Sequence, residues 1–227
     1  MIKIAHRSGP VSFPEQTVAS AREAVALGAD IIEIDLRETA DGALAVTHDE
    51  NLSRVFGIDE SIHAITGEAF RALPHKNAPQ YRGHLFCDYL EADIPKILVH
   101  VKEGAAIPKI IAEAEAHGRM EHIILGVQTV EDATAARAIA PEIKLLSFAK
   151  KSLIPDFIAL GVDYVRIWEP WIEDELVALI KKSHSQLWIM SGEAEEGFPV
   201  GEPSEEGIRR ILATDPDGVL INDVRRI

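Results

Sequence analysis

DIIEIDLRETADGALAVTH, residues 30–48, is the stretch on which the fold turns. Its first seven residues alternate, with Ile32, Ile34 and Leu36 on one face and Glu33 and Asp35 on the other. Successive side chains of a strand leave on opposite faces. In a barrel strand one face meets the surrounding helices and the other the interior, so the two carboxylates are expected to point inward. Ala40-Asp41-Gly42 then supplies a turn, after which ALAVTH (43–48) either doubles back as a hairpin or continues one bent strand.

Working outward, short β-branched runs recur at 2–6, 97–102, 122–127, 144–148, 163–168, 186–191 and 218–222. With 30–36 they make eight strands, and the spacing leaves room for a helix between most of them. Residues 16–28 carry a helical pattern, with Val18, Ala21 and Val25 on one face and Gly28 where a left-handed cap belongs. Similar amphipathic stretches cover 105–117, 131–139, 173–182 and 204–213. Ser12-Phe13-Pro14-Glu15 fits a capping box at the first helix start. This alternation favours a closed (β/α)8 TIM barrel over an open doubly wound sheet. The departure from the rhythm is 49–96, in which TGEAFRAL (66–73) is the one convincing helical piece. That segment is read as an insertion at one edge of the barrel mouth, in a single domain spanning 1–227.

A length of 227 residues suits one such barrel. The formal net charge of −14 opposes any polyanion, so nucleic acid is not an expected partner. No apolar run approaches the roughly 20 residues that span a bilayer, and no integral membrane contact is expected. MIKIAH passes at once into a strand-like run, without the pattern of an export signal. A lone Cys87 rules out an internal disulfide, and the cytoplasm is the expected compartment.

Strand parity also directs His100 and Lys102 of ILVHVK, and Arg166 and Trp168 of DYVRIW, toward the axis. Polar groups from several strands thus converge near the C-terminal strand ends, where barrel enzymes place their active sites. Glu33 and Asp35 would repel each other unless a cation intervened, and a divalent ion removes that difficulty. His6 and His48 end two runs, and imidazoles titrating near neutrality suit acid–base work. Trp168 and Trp171 wall the pocket or pack the core. Histidines 63, 75, 84, 117, 122 and 184 show no ligand spacing and are assigned to surface or packing.

HRSGPVSFPEQTVASAREAVALGADIIEIDLRETADGALAVTHDENLSR, residues 6–54, resembles the N-terminal signature of the glycerophosphodiester phosphodiesterases. The resemblance lies in an HRG-like element, a PEN-like element, a GAD-x-I-E-x-D strand, a T-x-DG turn and an HD pair, in that order. Looser matches follow in ILVHVK, LWIMS and DPDGVLIND. The resemblance implies a barrel with one divalent metal, Mg²⁺ or Ca²⁺, that hydrolyses a small-molecule glycerophosphodiester to glycerol 3-phosphate and an alcohol. It implies His6 and His48 as the acid–base pair, Glu33 and Asp35 as metal ligands, and Arg7 and Lys102 as phosphate contacts. Ser8 stands where that signature has glycine, and His100 where it has a metal-binding glutamate. An imidazole still donates nitrogen to a metal, so His100 is expected to complete the ligand set and to move preference toward Mn²⁺, Fe²⁺ or Zn²⁺. The rival expectations are a barrel that binds phosphoesters without turnover and another metal-dependent phosphotransfer or lyase chemistry.

Overall fold

The computed structural model describes residues 1–227. Strand β1 (Ile2–Ala5) pairs with β2 (Ile31–Glu38), which antiparallel β3 (Leu44–Val46) follows. The Ala40-Asp41-Gly42 turn therefore makes a hairpin, and β3 is an appendage of β2 rather than a barrel stave. After the small pair β4 (Pro74–His75) and β5 (Ala78–Arg82), the parallel series resumes. It runs through β6 (Ile97–Val101), β7 (Ile123–Val127), β8 (Lys144–Ser147), β9 (Tyr164–Trp168), β10 (Gln186–Met190) and β11 (Gly218–Ile221). Around the ring the order is β1-β11-β10-β9-β8-β7-β6-β2, and the β1–β2 pairing closes it. Eight parallel strands with helices outside make a TIM barrel.

Helix α1 (Val18–Ala26) starts at Thr17, whose hydroxyl accepts from the Ser20 amide at 3.1 Å. The cap expected at Ser12–Glu15 does not form, because Gln16 takes a left-handed φ of 60° and separates those residues from the helix. Beyond α1 come α2 (Gly67–Ala72), α3 (Phe86–Glu91), α4 (Ile107–Ala116) and α5 (Val130–Ile139). The last three are α6 (Ile154–Leu160), α7 (Asp174–Lys181) and α8 (Glu205–Ala213). Helices α3 and α6, of six and seven residues, are not among the expected helical stretches, whereas α2 matches the one at 66–73. No helix is long and apolar enough to cross a membrane.

Parity sorts the side chains into two cores. Ile32, Ile34, Leu36, Val99, Val101, Val165 and Ile167 belong to the larger one, together with helix residues such as Ala24, Ile110, Ala133 and Phe157. Ile4, Ile31, Leu98, Ile124, Leu146, Trp188, Met190 and Leu220 form the smaller one, from the opposite strand faces. These residues fill the barrel's interior and form a dry floor on which the polar groups at the strand ends rest. A third cluster, Ala45, Leu52, Phe56, Ile62 and Phe70, gathers residues after β3 against Ala45 of that strand. Phe86, Tyr89 and Leu90 of α3 instead join the larger core, so α3 acts as the barrel helix between β2 and β6.

Candidate active site

The chain leaves β1 through a tight turn, His6–Ser8, in which Arg7 and Ser8 have φ of 48° and 69°. Side chains rarely take this conformation, and local bonds hold it here. The Arg7 amide donates to Glu33 Oε2 at 2.7 Å, and the Ser8 hydroxyl bonds the buried Tyr89 hydroxyl at 2.8 Å. His6 thereby sits over the barrel mouth with Glu33 beneath the same turn. His48 follows β3, tied back to β2 by the Thr47 amide on the Asp35 carbonyl at 3.0 Å and by Arg37 Nε on its own carbonyl at 3.0 Å.

His6, Arg7, Glu33, Asp35, His48 and His100 all line one cavity of about 360 Å³. Phe148, Arg166, Trp168, Met190, Glu193 and Val200 complete its wall. Lys102 lies just outside, its ammonium 2.7 Å from Asp35 Oδ1 and 3.0 Å from His100 Nδ1. His100 Nδ1 is itself 3.0 Å from the same Asp35 oxygen. Gln16 Nε2 donates to the other Asp35 oxygen at 2.6 Å. One ligand atom each from Glu33, Asp35 and His100 lie within 4.8 Å of one another, a group able to hold a metal ion.

Burial shapes the electrostatics. It pushes the His6 imidazole down to about 4, with the Arg7 charge adding to it. Burial likewise takes His100 down to about 4, against the pull of Asp35. His48 is lowered less, first by burial, and its hydrogen bond to Asp49 works the other way. Glu33 is raised by burial and then by the neighbouring Asp35 charge. Burial opposes ionisation at Asp35 too, but Lys102 and His100 outweigh it and hold that carboxyl low.

Each histidine has a partner at Nδ1. His6 Nδ1 lies 2.8 Å from Asn222 Oδ1, and the Asn222 amide nitrogen donates to Glu202 at 3.2 Å, which fixes the amide's orientation. An amide oxygen only accepts, so Nδ1 of His6 carries the hydrogen and Nε2 is free. His48 Nδ1 faces Asp49 Oδ1 at 2.7 Å. Asp49 also pairs with Arg54, Arg54 reaches both oxygens of Glu15 at 2.6 and 2.9 Å, and Glu15 lies 3.5 Å from Arg7. Glu15 is thus an ion-pair link beside the site.

None of histidines 63, 75, 84, 117, 122 and 184 lines the cavity. Trp168 does, whereas Trp171 packs against the larger core. Asn222 closes the expected run 218–222 without an assigned role, and it lies one residue past β11; Gly201 sits in a loop where periodicity is silent. A Cβ on Gly201 would lie 2.1 Å from Asn222 Oδ1 and 2.9 Å from His6 Nδ1, so only glycine lets the loop close over that pair.

Known proteins resemble the chain in sequence and in fold. The model of the Glycerophosphoryl diester phosphodiesterase family matches residues 6–187. A glycerophosphodiester phosphodiesterase from Caldanaerobacter subterraneus is 26% identical, over 98% of this chain and 97% of its own. One from Bacillus subtilis is 38% identical over 93 residues, 37% of this chain and 32% of its own. The crystal structure of a glycerophosphodiester phosphodiesterase from Agrobacterium tumefaciens superposes with a TM-score of 0.80 at 20% identity, covering 100% of this chain and 98% of that one. A Glycerophosphoryl diester phosphodiesterase from Parabacteroides distasonis gives 0.83 at 17% identity, covering 99% and 84%. With a family match over most of its length, this chain belongs to the glycerophosphoryl diester phosphodiesterase family, whose members are hydrolases acting on phosphodiesters.

Proposed function

We propose that this chain hydrolyses glycerophosphodiesters to glycerol 3-phosphate and an alcohol, with His6 and His48 as the acid–base pair. The observation that carries the reading is the gathering of both histidines, Glu33, Asp35 and His100 around one cavity at the mouth of the barrel. His6, neutral at pH 7 and bonded through Nδ1 to Asn222, offers Nε2 as the base that takes the proton from the attacking oxygen. His48, with Asp49 beside Nδ1 to stabilise its charged form, returns a proton to the departing alkoxide. Arg7 presents a cation to the phosphate from the cavity wall. Lys102 contacts the phosphate once its ammonium leaves Asp35.

Glu33, Asp35 and His100 are the proposed ligands of one divalent metal ion. Their fit rests on two features: Asp35 Oδ1 is buried without a well-directed hydrogen-bond donor, and burial keeps His100 neutral, with a nitrogen lone pair to give. When bound, such an ion supplies Lewis-acid neutralisation of phosphate charge. Two carboxylates and an imidazole suit Mn²⁺, Zn²⁺ or Fe²⁺ better than the Mg²⁺ or Ca²⁺ implied by resemblance. The same reading treats 1–227 as one barrel domain; of the insertion expected at 49–96 it keeps only the part before α3, because α3 belongs to the barrel. It sets the reaction in the cytoplasm, within glycerol and lipid metabolism, and without a nucleic-acid partner.

The test is release of glycerol 3-phosphate from glycerophosphocholine and glycerophosphoglycerol, with and without chelator. Chelation is expected to abolish turnover, and His6→Ala or His48→Ala to lower kcat by on the order of 10²–10⁴ with little change in KM. Full turnover in excess chelator removes the metal from the mechanism. Tight diester binding with no turnover in any metal would make the chain a phosphoester-binding barrel instead.

A further inference from the structure

Arg166 stands on β9, across the ring from the β1, β2 and β6 arc that carries most of the groups given roles above. Its side chain reaches the cavity and is only 3% exposed. Buried guanidinium groups are ordinarily met by carboxylates or carbonyl oxygens, because an unpaired charge in a protein interior is strongly unfavourable. Here Nε and Nη1 have no hydrogen-bond partner. Glu33 is the one carboxylate that acts on Arg166 electrostatically, and its Oε2 is already taken by the Arg7 amide.

The immediate neighbours are aromatic. The guanidinium carbon lies 4.6 Å from the Trp168 ring centre, 5.0 Å from Phe148 and 5.7 Å from Trp171. Ring faces attract a cation, but they leave the N–H groups in the guanidinium plane available for an acceptor. A rigidly held planar fork with spare donors in an otherwise dry wall matches the oxygens of a phosphate or carboxylate. The same rings, without Arg166, would form the kind of aromatic recess that receives a quaternary ammonium. In this chain that recess is already filled by the chain's own cation.

We propose that Arg166 receives anionic oxygens of the substrate and, by occupying the recess among Phe148, Trp168 and Trp171, sets the site against an alcohol bearing a quaternary ammonium. The inference rests on the phosphodiesterase reading for its substrate, but the anion site itself is tested by binding alone. The oxygens come either from the scissile phosphate or from a second anionic group on the leaving alcohol, and substrate choice separates these sources.

Affinities for inorganic phosphate and for glycerol 3-phosphate are measured by calorimetry on the full chain and on Arg166→Met and Arg166→Gln. KM is then measured for glycerophosphocholine, glycerophosphoglycerol and glycerophosphoserine. Phosphate binding is expected to weaken about tenfold or more in both variants, the loss of a charge-assisted pair. A similar rise in KM for glycerophosphoglycerol and glycerophosphoserine assigns Arg166 to the scissile phosphate. A rise confined to glycerophosphoserine assigns it to the second anion. In either case glycerophosphocholine gains relative to the others, because the recess has been emptied. Without phosphate, Arg166→Met should melt no lower than wild type, since it removes an unpaired buried charge. Unchanged phosphate affinity with a lowered Tm overturns the proposal and makes Arg166 a structural counter-charge to Glu33. If only one variant folds, the same affinity comparison is made on it. Phosphate binding that depends on Arg166 in a protein that cleaves none of the three diesters sustains the anion site while removing the proposed activity.

Discussion

The contact between His6 and Asn222 decides which imidazole nitrogen is available and how basic it is. Burial has already driven His6 down to about 4, and a neutral amide oxygen 2.8 Å away does little to reverse that. Asn222→Asp replaces the amide with a carboxylate of nearly the same shape, and an opposite charge beside an imidazole raises its pKa. If His6 acts as base, activity falls as pH drops through its pKa. The acid limb of the kcat/KM profile should therefore move to higher pH in Asn222→Asp. An unmoved acid limb in a folded, active variant would show that His6 is not the group titrating there. Residues of this kind mark where sequence reading stops. Glu33, Asp35, His100 and Arg166 were legible as inward-facing because a strand alternates. Asn222 was read only as the end of the run 218–222, because its bond to His6 is a contact between the ends of two strands that the run itself does not reveal. Arg166 was read as inward, but whether a carboxylate meets it depends on distances across the barrel that no spacing along the chain records. Glu15 matched a capping pattern, yet the left-handed Gln16 gave the cap to Thr17 and left Glu15 to the arginines.

At the scale of elements, the barrel strands were readable, and of the short helices only α2 was. Eight alternating runs identify the barrel because burial on two faces demands alternation of surroundings, whereas IPDFIAL (154–160) makes barely two helical turns and offers no period. The hairpin β2–β3 was one of two open readings, and the ladder from Leu36–Val46 to Glu38–Leu44 selects it. Contacts between strands also set the ring that stands over His100. Phe148, just past β8, stacks on that imidazole with centroids 4.1 Å apart and planes 19° from parallel. The room for it comes from Gly126 on β7, where an added Cβ would lie 2.2 Å from the Phe148 ring. Gly126→Ala must push the ring aside or distort the strand, and overpacking of this kind typically costs about 1–3 kcal/mol. Urea unfolding should show that loss, together with weaker metal binding as His100 loses its stacking partner. Wild-type stability and metal affinity in Gly126→Ala would mean that Phe148 relocates freely and does not position His100.

For the whole molecule, the run Arg7–Glu15–Arg54–Asp49–His48 joins the turn after β1 to the segment after β3, beside the cavity. Its carboxylates and the buried histidines respond to acid in different ranges. Burial opposes ionisation at Glu15 and Asp49, but hydrogen bonds from Arg54 to Glu15 and from His48 and Arg54 to Asp49 hold both below their ordinary values. Their contribution to stability is therefore present above the usual carboxylate range and lost as pH falls through the lowered folded values. His6 acts earlier. Its folded pKa is about 4 against 6.5 when exposed, so between those values the unfolded chain takes a proton that the folded chain refuses. Stability should decline over that interval, ahead of the carboxylate phase. Urea unfolding in chelator from pH 7 to pH 3 reads both, and variants separate them. Other lowered histidines share the first phase, so the difference between wild type and His6→Gln isolates one proton, a slope of about 1.4 kcal/mol per pH unit between pH 6 and 4.5. Arg54→Met should leave that phase intact and flatten the second, because Glu15 and Asp49 lose their shared cation. Parallel pH profiles for wild type and His6→Gln would show that His6 takes up its proton as readily in the folded barrel as in the open chain, and the neutral base assigned to Nε2 would go with it.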